Sequence, residues 1–113
     1  MELVEKTISK KELEKMALRM FGSLVKAVVD VEQDLLVIDA ELHADQEKYL
    51  LDLGSKQENL WGINIYPDRK GEDMVEFDSM INLRPAFGNS GRGVEDVEIQ
   101  KKILEIVKSR IVE

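Results

Sequence analysis

The sequence contains no cysteine, two prolines, one histidine, one tryptophan, two tyrosines and three phenylalanines. Each scarcity excludes something. Without cysteine there is no disulfide, no thiolate metal centre and no sulfur nucleophile, and the chain suits a reducing compartment. With aromatics so sparse there is no row of rings on which nucleic-acid bases could stack. No apolar run approaches the ~20 residues that a membrane span needs. The opening MELVEKTISKK has no apolar h-region, so no signal peptide is expected. Positive charge is also short: 16 Lys and Arg face 23 Asp and Glu, a net charge of −7. A binder of nucleic-acid backbone normally has the opposite balance, so bulk nucleic-acid binding and membrane attachment are not expected. The expected location is cytoplasmic. Abundant Lys and Glu without cysteine lean toward a heat-adapted source.

What is present is enough for one domain over residues 1–113. Hydrophobic residues make up 43% of the chain, and at this length folding buries roughly two-thirds of the unfolded surface. Ser9-Lys10-Lys11-Glu12 is a capping box, with Ile8 and Leu13 spaced as a hydrophobic staple. Leu13, Met16, Ala17, Met20 and Phe21 form an apolar stripe, and Gly22 closes that helix. Residues 24–32 and 35–42 read as a β-hairpin turned by Glu32-Gln33-Asp34. Its first strand is apolar on both faces through Val25, Val28, Val29 and Val31, which places it centrally in a sheet. Asp45 is positioned to cap a short helix through Gln46–Leu53, ended by Gly54. Residues 60–66 are a third strand with Trp61, Ile63 and Ile65 inward, and 74–84 a fourth. A last helix runs from Val97, capped by Asp96, to Ile111. The order α-β-β-α-β-β-α implies an α+β fold: one mainly antiparallel four-stranded sheet with helices on one face. The other face is then open and polar, carrying Lys26, Asp30, Asp39, Glu41, His43, Asn64, Tyr66, Asp78, Asn82 and Arg84.

The stretch 76–96, EFDSMINLRPAFGNSGRGVED, gathers the candidate binding residues. Alternation over Glu76–Arg84 predicts a strand that Pro85 stops. Gly88, Gly91 and Gly93 then make a loop that runs into a helix N-terminus, an arrangement that suits an anion. Arg84 and Arg92 flank it. Asn64, Asp78, Asn82, Arg84, Asn89 and Arg92 are therefore the candidate ligand-binding set, since Arg grips carboxylate or phosphate bidentately and Asn both donates and accepts. Against an anion stand Glu95 and Asp96 at the helix start.

A second cluster is Asp39-x-Glu41-x-His43-x-Asp45. In an extended chain Asp39, Glu41 and His43 point the same way, and two carboxylates with one imidazole suit a divalent metal. Such a site would support a metal-assisted hydrolase of phosphoesters or similar substrates, with Asp78 as a further ligand. Serine catalysis lacks its motif: there is no GxSxG, and Asn89-Ser90-Gly91 is not an elbow. The readings are thus a binding or regulatory module for a small anionic ligand or a protein partner, a metal-assisted hydrolase, and a purely structural interaction protein. Dimerisation through the sheet face or an edge strand is compatible with each.

AELHAD, SKQENLWGINIYPD, EFDSMINLRP and GNSGRGVED, in this order and spacing, resemble a small family of prokaryotic proteins of unknown function. The resemblance covers roughly residues 9–110. It implies a stand-alone domain of about this length and carries over no activity and no catalytic residue. One departure is Val97, where the family pattern favours proline at the first helical position.

Overall fold

The computed structural model describes residues 1–113. A short strand β1 (Glu2–Leu3) and a second, β2 (Ile8–Ser9), lead into helix α1 (Lys10–Met20). Ser9 caps α1, its Oγ accepting the Glu12 N–H at 3.1 Å. Gly22 takes a positive φ of 88° just past the helix end, a conformation glycine adopts without penalty. Strands β3 (Val25–Asp30) and β4 (Leu35–Ile38) form the expected antiparallel hairpin. Asp30 organises its turn: Oδ1 accepts the Glu32 and Gln33 N–H groups, and Oδ2 accepts Gln33 Nε2 and Ser55 Oγ. Asp39, at φ 66°, ends the extended run.

Helix α2 (His43–Asp52) follows, then β5 (Leu60–Ile65), β6 (Val75–Glu76), helix α3 (Val97–Arg110) and β7 (Ile111–Val112). Gly54 and Ser55 close α2 by donating to the carbonyls of Leu51 and Leu50, a Schellman pattern. Asp96 caps α3 through the Glu98 N–H at 2.9 Å.

The fold is α+β with three helices and a mainly antiparallel sheet. Three finer expectations need correction. The sheet has five strands, ordered β1-β4-β3-β5-β6, because Glu2 and Leu3 pair with Ile38 and Val37. A separate parallel pair joins β2 to β7. The strand expected over 74–84 is only Val75–Glu76; beyond it the chain breaks into 3₁₀ turns at Met80–Asn82 and Pro85–Phe87. The helices also divide between the two faces. Leu13, Met16, Ala17, Ile103, Ile106 and Val107 of α1 and α3 pack on Val25, Ala27, Val29, Leu36, Ile38, Trp61, Ile63 and Ile65. Leu50 of α2 packs on the opposite face with Val28, Val37 and Leu60. The sheet therefore has no open face. Asp30 and Asn82, expected there, are fully buried. The apolar burial of both faces is the main driving force for this arrangement. No helix is long and apolar enough to cross a membrane.

Candidate functional site

Strand β6 is too short to cover β5. It pairs only with Asn64 and Ile65, so on the side of β5 away from β3 no strand lies beside Leu60 and Gly62. Two side chains take its place. Asn82 Oδ1 accepts the Gly62 N–H at 2.8 Å, and Asn82 Nδ2 donates to the Gly62 carbonyl at 2.9 Å, as a neighbouring peptide would. Arg84 donates from Nη2 to the Leu60 carbonyl, from Nη1 to Gln57 O at 2.8 Å and from Nε to Ile81 O at 3.2 Å. Its guanidinium also lies 4.3 Å from the centroid of the Trp61 ring. Burial pulls the Arg84 pKa below its ordinary value, and the Glu47 carboxylate opposes that shift.

The glycine loop is likewise satisfied from within. Asn89 Nδ2 donates to the carbonyls of Asn82, Gly91 and Gly93, while its Oδ1 accepts the Glu95 N–H. The Ser90 N–H and hydroxyl both donate to the Glu95 carboxylate, at 2.6 and 2.9 Å. That carboxylate occupies the place foreseen for an external anion. Only Gly88 of the three loop glycines has positive φ. Three of the six candidate residues, Asn82, Arg84 and Asn89, thus hold the 79–95 segment together. Replacing Arg84 with Lys removes the planar fork and is expected to cost about 2 kcal/mol in a denaturant titration, the worth of the bonds it cannot remake.

The other three come together at one corner of the sheet. Asn64 stands between Lys26 on β3 and Glu76 on β6 in cross-strand register. Its Nδ2 donates to Glu76 Oε1 at 2.8 Å and more weakly to Asp78 O at 3.4 Å. Tyr66 donates to the same Glu76 oxygen at 3.2 Å. Burial and that carboxylate push the Tyr66 hydroxyl above its ordinary pKa. Because Glu76 only accepts, the orientation of the Asn64 amide is fixed, and its Oδ1 is buried with no partner. Gln46 repeats the pattern: Nε2 donates to Lys26 O, and Oε1 has no partner. Asp78 and Arg92 form an ion pair at 2.7 Å through Nε, with both side chains about half exposed. Nε is the only Arg92 side-chain atom engaged, so the Nη fork is free, in contrast to Arg84.

His43 lies at the same corner. Its Nε2 stands 2.7 Å from the Ile63 carbonyl. A carbonyl only accepts, so Nε2 carries the hydrogen and Nδ1 keeps its lone pair. The ring and Ser79 both crowd Gly62, where a Cβ would fall 3.2 Å from His43 Cγ and 2.6 Å from Ser79 Cβ and Oγ. Burial lowers the His43 pKa from 6.5; the bond to Ile63 raises it, Lys26 and Arg92 lower it, and Asp78 raises it. The sign of the linkage follows. The unfolded chain takes up the proton more readily, so the stability due to a neutral His43 is complete above about pH 6.5 and is lost as pH falls toward the folded value. Melting curves should show the wild type losing more stability than His43→Gln over that window; parallel curves would contradict the assignment.

Asp39, Glu41 and His43 do not converge. The strand ends at Ile38, Asp39 turns to Arg19 at 3.5 Å, Glu41 is exposed and His43 begins α2. No group of three His, Asp or Glu side chains is placed to hold a metal ion. Asp45 lies in the first turn of α2 rather than at its cap, which is Leu42. Two residues of the corner, Gln46 and Glu76, fell outside the candidate set. Gln46 was legible as the position three after His43, hence on the same helical face. Glu76 was legible as a strand neighbour of Asn64 only once the register was known.

No curated protein and no solved structure matches the chain. A family model described as a protein of unknown function, DUF5674, matches residues 2–110. That match spans nearly the whole chain, and the protein belongs to the DUF5674 family.

Proposed function

We propose that the chain is a small binding module whose ligand sits at the corner formed by His43, Asn64, Asp78 and Arg92. The ligand is a small anion that also carries an N–H or O–H donor. Asn64 carries the reading. It is 5% exposed, its amide nitrogen is engaged and its Oδ1 has no donor. An unpaired buried acceptor costs about 1–3 kcal/mol, which a ligand's donor recovers. Arg92 supplies the complementary half, since its free Nη groups suit a carboxylate or phosphate. The Asp78 carboxylate holds the guanidinium in place and favours ligands with a donor over bare anions.

A thermal-shift panel of monohydrogen phosphate, nucleoside monophosphates, dicarboxylates and amino acids tests this. A ligand that binds only the folded state raises the melting temperature with the logarithm of its concentration. Arg92→Ala is expected to weaken the responding ligand about tenfold, the loss of one charge-assisted contact. Arg84→Lys should lower stability and leave the ligand response intact. An equal response from Arg92→Ala would remove the reading. A protein partner is the second reading, favoured by Met80, Leu83 and Phe87, which expose 62%, 41% and 77% of their surface on one short segment. It gains weight where no small anion gives a shift.

A further inference from the structure

A cleft of about 430 Å³ opens where the second half of α3 and strand β7 face the 3₁₀ turn Gly71–Met74 and the start of β6. It shares no residue with the corner of His43, Asn64, Asp78 and Arg92. Leu104, Val107 and Lys108 follow the i, i+3, i+4 spacing, so they line it from one face of α3. The floor is apolar and continuous with the core. Met74, Val75 and Val107 are buried there, and Leu104 and Ile111 are partly buried against the same cluster. Exposed Val112 on β7 extends this surface outward. The volume lies within the roughly 300–1,000 Å³ of small-molecule sites, which join an apolar lining to a few placed polar groups.

Lys10 is the polar group that selects the occupant. It follows β2, whose Ser9 pairs with Val112 of β7, so its side chain starts beside the cleft that it lines. That side chain is 20% exposed. Its ammonium carries three donors, and the structure gives it one hydrogen bond, to the Arg69 carbonyl at 3.3 Å. The one carboxylate within 4 Å is that of Glu113, at 3.6 Å, on a side chain 91% exposed. Glu113 thus marks where an anion meets Lys10, and an ion pair with so exposed a partner is readily given up. Exposed Lys108 adds a second positive charge to the lining. Glu72 and Glu105 line the cleft as well, both exposed. These acids disfavour a phosphate headgroup with its nearly two negative charges. A single carboxylate, seated on the less exposed Lys10, is the headgroup that fits.

We infer that this cleft binds a straight-chain monocarboxylate, a medium-chain fatty acid. Its carboxylate takes the place of Glu113 on Lys10 Nζ, and its alkyl chain covers Met74, Val75, Leu104, Val107 and Ile111. The site is separate from the anion corner and stands or falls independently of it.

The probe is octanoate, titrated into ¹⁵N-labelled protein. The backbone amides of Val75, Lys108 and Ile111 are expected to shift saturably while the Asn64 side chain stays still. Affinity should rise roughly fourfold per carbon from hexanoate through heptanoate to octanoate, the worth of burying one methylene. Lys10→Met keeps the apolar stem and removes the ammonium. It is expected to weaken octanoate about fivefold or more, the loss of one partly screened charge-assisted bond, and to leave 1-octanol unchanged. Should Lys10→Met fail to fold, the wild type alone decides, since it must bind octanoate more tightly than either 1-octanol or octylamine. Three results would overturn the assignment: cleft amides that stay still under octanoate, octylamine or 1-octanol binding as tightly as octanoate, or a folded Lys10→Met that binds octanoate as the wild type does.

Discussion

Gly62→Ala is expected to be the most damaging single substitution in the protein. The added methyl would stand 2.6 Å from both Ser79 Cβ and Oγ, and 3.2 Å from His43 Cγ. None of these is the free end of a flexible chain. Ser79 is 1% exposed, its backbone N–H donates to Arg92 O and its Oγ accepts the Ile81 N–H. His43 is pinned through Ile63. Relief requires the 78–82 segment to lift from β5, which breaks the Asn82 bonds to Gly62 as well. The expected loss is about 3 kcal/mol or more, at the upper end of overpacking costs. A second substitution separates this cause from a general intolerance of alanine in the strand. Ser79→Gly removes both of the closest atoms, so in Gly62→Ala/Ser79→Gly the losses should fail to add by about 1–2 kcal/mol. Additive losses would mean that the crowding at position 62 is not the cause.

Asn82→Ala is expected to cost about 3 kcal/mol. The side chain is fully buried and makes three bonds to backbone: to the Gly62 N–H, the Gly62 carbonyl and the Arg92 carbonyl, all within 2.9 Å. Alanine leaves the buried Gly62 N–H and carbonyl unpaired, each costing about 1–3 kcal/mol, and removes one of the two bonds to the Arg92 carbonyl, which keeps the Ser79 N–H. Asn82→Asp is not a rescue. It keeps an acceptor for the Gly62 N–H but sets a second carboxylate oxygen against two carbonyls. A urea titration that shows less than about 1 kcal/mol for Asn82→Ala would mean that water serves the β5 edge as well as the carboxamide does.

These two substitutions lie where the sequence was least legible. Both ends of α1 and the start of α3 could be read locally, because Ser9, Gly22 and Asp96 act on groups within a few residues. The inward set Trp61, Ile63 and Ile65 could be read from period-two alternation. The same rule misled over 76–84. The alternation there is real, but its polar members are Asn82 and Arg84, whose partners lie 20 or more residues away at Gly62, Leu60 and Gln57. A chain that wraps a strand edge through side chains has no local signature that separates it from a strand. Arg84 and Arg92 look alike in sequence for the same reason: one is consumed by carbonyls and the other keeps its fork, and only long-range geometry decides which. The second covered face did leave a signal. Val28 and Val37 are apolar on the side assigned to solvent, and Leu50 covers them. The five-stranded sheet could not be read, because β1 is two residues long and its pairing with Ile38 spans the whole of α1 and β3.

The most direct test of the account is a titration of ¹⁵N-labelled protein with monohydrogen phosphate, the smallest anion that also carries a donor. The resonances to follow are Asn64 Nδ2, Arg92 Nε and the backbone amides of Ser90, Gly91 and Gly93. The account predicts that Asn64 and Arg92 shift together and saturably, while Ser90, held by Glu95, stays still. Movement of the Ser90, Gly91 and Gly93 amides with Asn64 and Arg92 unchanged would place the anion in the glycine loop and contradict it.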